Sequence, residues 1–246
     1  MKVVVSKPYN ENQISDLISS YDRNGETFWK KRNTIKIFNI ENEEWNIKSF
    51  KIPHLINKIV YKYFRKSKAQ RSFEHAQELL KRSIKTPKPI AYVEYFNLLG
   101  LDKSYYASEN LHYDFTFNEL FDKSYPDRNN ILDQFTEFTF KLHEKGIHHF
   151  DHSRGNTLII EKENKRYDFY LIDLNRMVFE DMDYDKRIKN FDRLSLTPDM
   201  IAIISKKYAE LMDKDKKLVY RQMTEVCEAF ATNRARKKRL KKKIGL

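Results

Sequence analysis

The spacing of apolar positions changes character along the chain. Between residues 26 and 51, "ETFWKK", "TIKIFNI" and "WNIKSFK" are short β-branched or aromatic runs, with turn chemistry at Arg32-Asn33 and at "ENEE". They predict an antiparallel meander after a polar N-terminus. From Ser67 the period lengthens. Phe73, Ala76, Leu79 and Leu80 recur at three- and four-residue spacing, which predicts a helix that "TPKP" stops. "IAYVEYF" and "SYYASENL" then read as two more strands, so five strands and one helix form a small sheet-rich lobe over about 20–111.

Beyond residue 115 the helical period dominates. Ile131, Phe135, Phe138 and Leu142 make one apolar stripe that ends where Gly146 can supply the left-handed residue after a helix. Ile204, Tyr208 and Leu211 repeat the signal, as do Val219, Met223, Val226 and Phe230. Between these helices lie two short apolar strands, "TLII" and "FYLID", separated by the turn-rich "EKENKRYD". The expected fold is α+β: the sheet lobe, a mainly helical lobe over about 112–233, and a basic tail over 234–246.

Composition narrows the class. The chain has 246 residues, 40% of them hydrophobic, which is enough to bury a sizeable core. Neither a signal peptide nor a membrane span is expected, because no apolar run approaches about 18 residues. The expected location is cytoplasmic. The single cysteine, Cys227, rules out an intrachain disulfide framework and multi-cysteine zinc. The net charge is +12, and eight of the cations fall in "RARKKRLKKK" (234–243). A second basic stretch, "KIVYKYFRKSKAQR" (58–71), carries Lys58, Lys62, Arg65, Lys66, Lys68 and Arg71. Both predict anionic partners. The aromatic interleaving at Tyr61, Tyr63 and Phe64 admits nucleic acid as a competing ligand.

The segment "LHEKGIHHFDHSRGNTLII" (142–160) holds four of the seven histidines. Its spacing, with His149, Asp151 and Asn156 as H-x-D-x-x-x-x-N, resembles the catalytic loop of protein-kinase-like phosphotransferases, and "LID", ending at Asp173, stands where their second metal-binding aspartate lies. Phosphoryl transfer needs a carboxylate to orient the attacking hydroxyl and magnesium to neutralise phosphate oxygens. Asp151 is therefore expected to be the base, Asn156 and Asp173 the Mg2+ ligands, and His149 a brace for the loop. A zinc site built from His143, His148, His149, Asp151 and His152 is the competing reading, disfavoured because adjacent ligands strain its geometry.

A kinase-like sheet lobe must also supply a lysine for the ATP phosphates and a helix glutamate to hold it. Lys48, inside its strand, is preferred to Lys51. Glu74 and Glu78 share one helix face, and Glu74 is preferred as nearer the helix start. Glu109 is expected to join the ATP-binding set. No G-x-G-x-x-G occurs, so the hairpin "FWKKRNTIKIF" must cover the phosphates. Phe150 replaces the arginine that docks a phosphorylated activation loop. Only 73 residues follow Asp173, too few for a peptide-binding lobe, so the acceptor is expected to be a small molecule or sugar.

Taken with "SKAQRSFEHAQELLKRSIKTPKPIAY", "VEYF…SYYASENLHYDFTFNELF", "FYLIDLNR" and "RIKNFDRL", the loop resembles the lipopolysaccharide core kinases, the Kdo and heptose kinase family of Gram-negative bacteria, over roughly 25–215. The resemblance implies ATP and Mg2+ as cofactors, a sugar hydroxyl of the inner core as acceptor, and work at the cytoplasmic face of the inner membrane. Asn175 departs from the family's usual acidic residue at that position. The competing functions are a small-molecule kinase of the aminoglycoside or choline type, a nucleic-acid-binding protein and a pseudokinase.

Overall fold

The computed structural model describes residues 1–243, without the side chains of Ile56, Ile59, Lys62, Lys241 and Lys243. Lys62 of the basic stretch and the last residues of the tail thus lie outside the described set. The chain divides into two compact units: residues 1–112 with 173–175, and residues 113–172 with 176–246.

The first unit contains β1 (Lys2–Val5), α1 (Glu11–Ser19), β2 (Glu26–Lys30), β3 (Thr34–Ile40), β4 (Glu43–Ser49), α2 (Leu55–Tyr63), α3 (Lys68–Lys81), β5 (Pro89–Asn97) and β6 (Gly100–Glu109). The strands form one antiparallel sheet of six in the order β1-β5-β6-β4-β3-β2. The five expected strands are all present. The sixth, β1, comes from "KVVV", whose four residues give too short a pattern to be read locally; it forms because β5 offers it a partner, Val3 opposite Val93. The N-terminus is therefore part of the sheet unit rather than a polar leader.

The sheet buries both faces. Asn10 caps α1, whose Ile14 and Ile18 pack with Trp45, Ile47 and Tyr105 on one side. On the other side, Phe73 and Ala69 of α3, whose N-cap is the Ser67 hydroxyl, meet Phe50 and Tyr92. Trp45 and Ile47 point into the first core, so alternation sends Lys48 to the α3 face. Within the basic stretch 58–71, Lys58 pairs with Asp102, Lys66 pairs with Glu74, and Arg71 donates to the Asn175 carbonyl.

The second unit contains β7 (Phe115–Thr116), α4 (Arg128–Glu144), β8 (Ile147–His149), β9 (Thr157–Lys162), β10 (Arg166–Leu171), β11 (Met177–Phe179), α5 (Tyr184–Lys189), α6 (Pro198–Met212) and α7 (Lys216–Lys243). The predicted stripe of α4 is buried at Ile131, Phe135 and Leu142, and Gly146 follows the helix at φ +64°. Side chains of this size each contribute about 2 kcal/mol when removed from water. Ile204 and Tyr208 of α6 and Val219 and Met223 of α7 complete the core. Cys227 is buried beside the Phe191 carbonyl, with its thiol pushed up to about 12 by burial. No break occurs at residue 233: α7 continues as one helix to Lys243, so the expected separate tail is an extension of a packed helix over its described length. No helix among the described residues is long and apolar enough to cross a membrane.

Candidate active site

The loop that carries the motif is held by its own histidines. After α4 the chain turns at Gly146 and forms β8, where His149 lies opposite Met177 of β11. The fully buried His149 accepts the Asp151 N–H on Nδ1 at 3.1 Å, and its Nε2 faces the Ile172 carbonyl at 3.4 Å. An N–H can only donate and a carbonyl can only accept, so the ring is the neutral Nε2–H tautomer. Asn156 closes the loop from the other end: its amide nitrogen donates to the Asp151 carbonyl at 2.8 Å, and its carbonyl accepts the Ile172 N–H at 3.0 Å.

A second layer lies beneath. Asn190, in the short segment after α5, donates to the His149 carbonyl at 2.9 Å and accepts from His143 Nε2 at 3.2 Å. His143 Nδ1 in turn accepts from the Tyr208 hydroxyl at 2.7 Å. Burial pushes His143 down to about 3 and drives His152, stacked on His149, well below its ordinary value. The chain Tyr208–His143–Asn190–His149 is therefore wholly neutral near pH 7. Both nitrogens of His143 and of His149 are engaged within the protein, which removes them from the zinc site considered above. His148 instead pairs with Glu180.

The Asp151 carboxylate is clasped by arginines that its own motif lacks. Arg193 reaches Oδ1 at 3.1 Å and Arg176 reaches Oδ2 at 3.5 Å. Asp151 and Arg193 lie in the wall of a cleft of about 750 Å³ that belongs wholly to the second unit. From α7, Phe230, Asn233, Arg234 and Lys237 line the same cleft.

In the first unit, Lys48 donates to Asp173 at 2.9 Å, and Asn175 donates to the same carboxylate oxygen at 2.6 Å. Lys51 donates its backbone N–H to the Asn33 side chain. Register places Lys48 opposite Ile35, beside the β2–β3 turn that carries Lys31 and Arg32, so the glycine-free hairpin and the lysine share one end of the sheet. Asp173 has a left-handed backbone, φ +55°, a conformation that aspartate tolerates better than most residues.

Glu74, the expected partner of the lysine, lies on α3. It bonds to Lys66 and Gln70, and these contacts outweigh the upward push of burial to hold its carboxyl below the ordinary value. Lys48 takes Asp173 as its partner instead of a helix glutamate. The face of α3 that meets residues 173–175 is one position round: Arg71 donates to the Asn175 carbonyl at 2.7 Å and His75 Nδ1 donates to the Leu174 carbonyl at 2.7 Å. Glu78 pairs with Arg82. Glu109, at the end of β6, pairs with Lys88.

Asn156 and Asp173 offer an amide oxygen and a carboxylate. Each, taken by itself, is donor chemistry for a hard cation such as Mg2+, which keeps several waters and takes phosphate oxygens as further ligands. Among the described residues, no group of three His, Cys, Asp or Glu side chains is placed to hold a metal without such help.

A solved structure shares this fold. A structure described as WaaP in complex with acyl carrier protein aligns with a TM-score of 0.64 and 13% identity, covering 95% of this chain and 98% of that one. Two structures of WbdD, one with the kinase inhibitor LY294002, align at TM-scores of 0.47 and 0.49 with 13% identity, covering 85% of this chain and 46% of theirs. No curated protein matches the sequence. The family described as lipopolysaccharide kinase (Kdo/WaaP) does match, over residues 30–214, a span that takes in Lys48, the 142–160 loop and Asp173. With most of its length inside that match, the chain belongs to the Kdo/WaaP lipopolysaccharide kinase family and is a kinase.

Proposed function

We propose that this kinase transfers the γ-phosphate of ATP to a sugar hydroxyl, of Kdo or heptose, in the lipopolysaccharide inner core. The observation that carries the reading is Asp151: its backbone is fixed by His149 and Asn156, and its carboxylate lines a cleft whose size suits a small-molecule site. In this reading the acceptor hydroxyl lies against the Asp151 carboxylate. As the new O–P bond forms, the bond from the γ-phosphorus to the bridging oxygen breaks and ADP leaves with the electron pair. The hydroxyl proton passes to Asp151.

Asn156 and Asp173 would hold Mg2+, which when bound neutralises phosphate oxygens. Lys48 would address the ATP phosphates, and the Lys31 and Arg32 turn would add charge where other kinases use backbone amides. Work at the cytoplasmic face of the inner membrane follows from an acceptor that is assembled there. The test uses the purified protein with γ-labelled ATP, Mg2+ and lipid-free inner-core oligosaccharide. Label is expected on the sugar, absent with Asp151→Ala, and the Mg2+ concentration for half-maximal transfer should rise with Asn156→Ala. Transfer to choline or an aminoglycoside, with none to the core sugar, would overturn the acceptor assignment.

A further inference from the structure

The segment after α5 grips the motif loop twice. Asn190 donates to the His149 carbonyl at 2.9 Å, and three residues on, Arg193 donates to Asp151 Oδ1 at 3.1 Å. The first contact holds the loop's backbone and the second holds its carboxylate. Phe191 and Leu194, which flank these grips, are fully buried in the core of the second unit, so close packing fixes the segment. α7 backs it from the far side. Cys227 Sγ lies 3.8 Å from the Phe191 carbonyl, and Phe230, one turn on, sets its ring centre 5.4 Å from the Arg193 guanidinium. We infer that Arg193 is a positioning residue for phosphoryl transfer: it pins Oδ1 of Asp151 and leaves Oδ2 as the oxygen that meets the acceptor hydroxyl and takes its proton. The inference rests on the proposed role of Asp151 as the base, and it adds which oxygen acts and what fixes it.

A carboxylate has two equivalent oxygens and turns easily about its last side-chain bond. A base that must present one lone pair to one hydroxyl needs that turn stopped. The two arginines at Asp151 are unequal in this respect. Arg193 makes a charge-assisted hydrogen bond of ordinary length, is 39% exposed and rests on the Phe230 ring. Arg176 reaches Oδ2 only at 3.5 Å, the outer limit of a hydrogen bond, and is 49% exposed. An incoming hydroxyl therefore displaces the weaker contact and lies against Oδ2. The O–H bond then gives its proton to Oδ2, and its electron pair forms the new bond to the γ-phosphorus. A partly exposed ion pair adds little to stability, so the worth of Arg193 is in geometry, where a misplacement of about 1 Å costs about 10²-fold in rate.

The experiment follows the full-length protein by two readouts: label transfer from γ-labelled ATP to lipid-free inner-core oligosaccharide, and the slow hydrolysis of ATP by water. Arg193→Ala should lower kcat by about 10²-fold with KM for ATP within about twofold and an unchanged melting temperature. Arg193→Lys keeps the charge without the planar fork and should recover about tenfold of that loss, and it carries the test by itself if the alanine variant fails to fold. Free guanidinium at millimolar concentration should raise Arg193→Ala by about tenfold and leave Asp151→Ala unmoved, a response that a merely structural role would not give. Phe230→Leu should cost about three- to fivefold, through loss of the ring under Arg193. Arg176→Ala should cost less than about threefold. A kcat for Arg193→Ala within about threefold of the unaltered protein overturns the inference, as does a loss that neither lysine nor guanidinium restores. An Arg176→Ala loss as large as that of Arg193→Ala overturns it too. If the core sugar takes no label while hydrolysis shows the same order of effects, the acceptor assignment falls and the role of Arg193 stands. Hydrolysis and transfer both indifferent to Asp151→Ala would remove the base and Arg193 with it.

Discussion

The two units fix their reactive groups by opposite means. In the second, the loop backbone around Asp151 rests on a neutral lattice in which Tyr208, His143, Asn190 and His149 hand hydrogen bonds from one to the next. In the first, Lys48 and Asp173 are held by opposite charge, with Asn175 alongside. A buried neutral network has one geometry, because every donor must meet its acceptor away from water. A partly exposed ion pair such as Lys48–Asp173 is cheap to open, since water and an incoming phosphate can replace either partner. The loop is thus built for position and the pair for exchange.

The largest expected effect breaks the loop side at its carboxylate. Asp151→Ala should lower phosphoryl transfer by about 10³-fold, within the usual range for a positioned base, with the melting temperature little changed. Next, Lys48→Ala should cost about 10²-fold in kcat/KM for ATP. The same kinetics with Glu74→Gln should change less than about threefold, since Glu74 serves Lys66. A Glu74→Gln loss equal to that of Lys48→Ala would restore the helix glutamate as the lysine's partner.

The neutral lattice predicts a pH signature. Folded His143 titrates near 3 and the unfolded residue near 6.5, so between those values the unfolded chain binds more protons. Stability should fall as pH drops through that window, with His152 adding in the same direction. His143→Gln should flatten the slope by up to about 1.4 kcal/mol per pH unit, read from urea midpoints between pH 5 and 7.5. The smallest effect should come from Tyr208→Phe. It removes only the outermost hydroxyl and should cost about 1–2 kcal/mol of stability, with a smaller change in turnover.

How much of this was legible depends on how local each signal was. The α4 stripe, the turn at Gly146 and the H-x-D-x-x-x-x-N spacing are set by neighbours in sequence, and all three were readable there. Arg193 grips Asp151 from 42 residues away and Asn190 reaches His143 across 47, distances that no local pattern records. On α3, periodicity put the acids at 74 and 78 on one helix face and carried no sign of what the neighbouring face meets. The residues that meet the 173–175 segment are Arg71 and His75, and they do so through backbone carbonyls, which are invisible in a sequence. The basic run misled in another way. Its charges suggested a solvated tail, yet the spacing of Phe230, Asn233, Arg234 and Lys237 was already that of one helix face.

The left-handed backbone at Asp173 bears on which replacements this position admits. Asparagine shares aspartate's ease in that conformation, whereas glutamate and the β-branched residues pay about 1–2 kcal/mol to enter it. A change to glutamate, chemically the milder one, should therefore disturb the peptide's path, while asparagine removes the charge and leaves the path alone. Backbone shape thus ranks the replacements at 173 differently from charge, with asparagine the one that keeps the path.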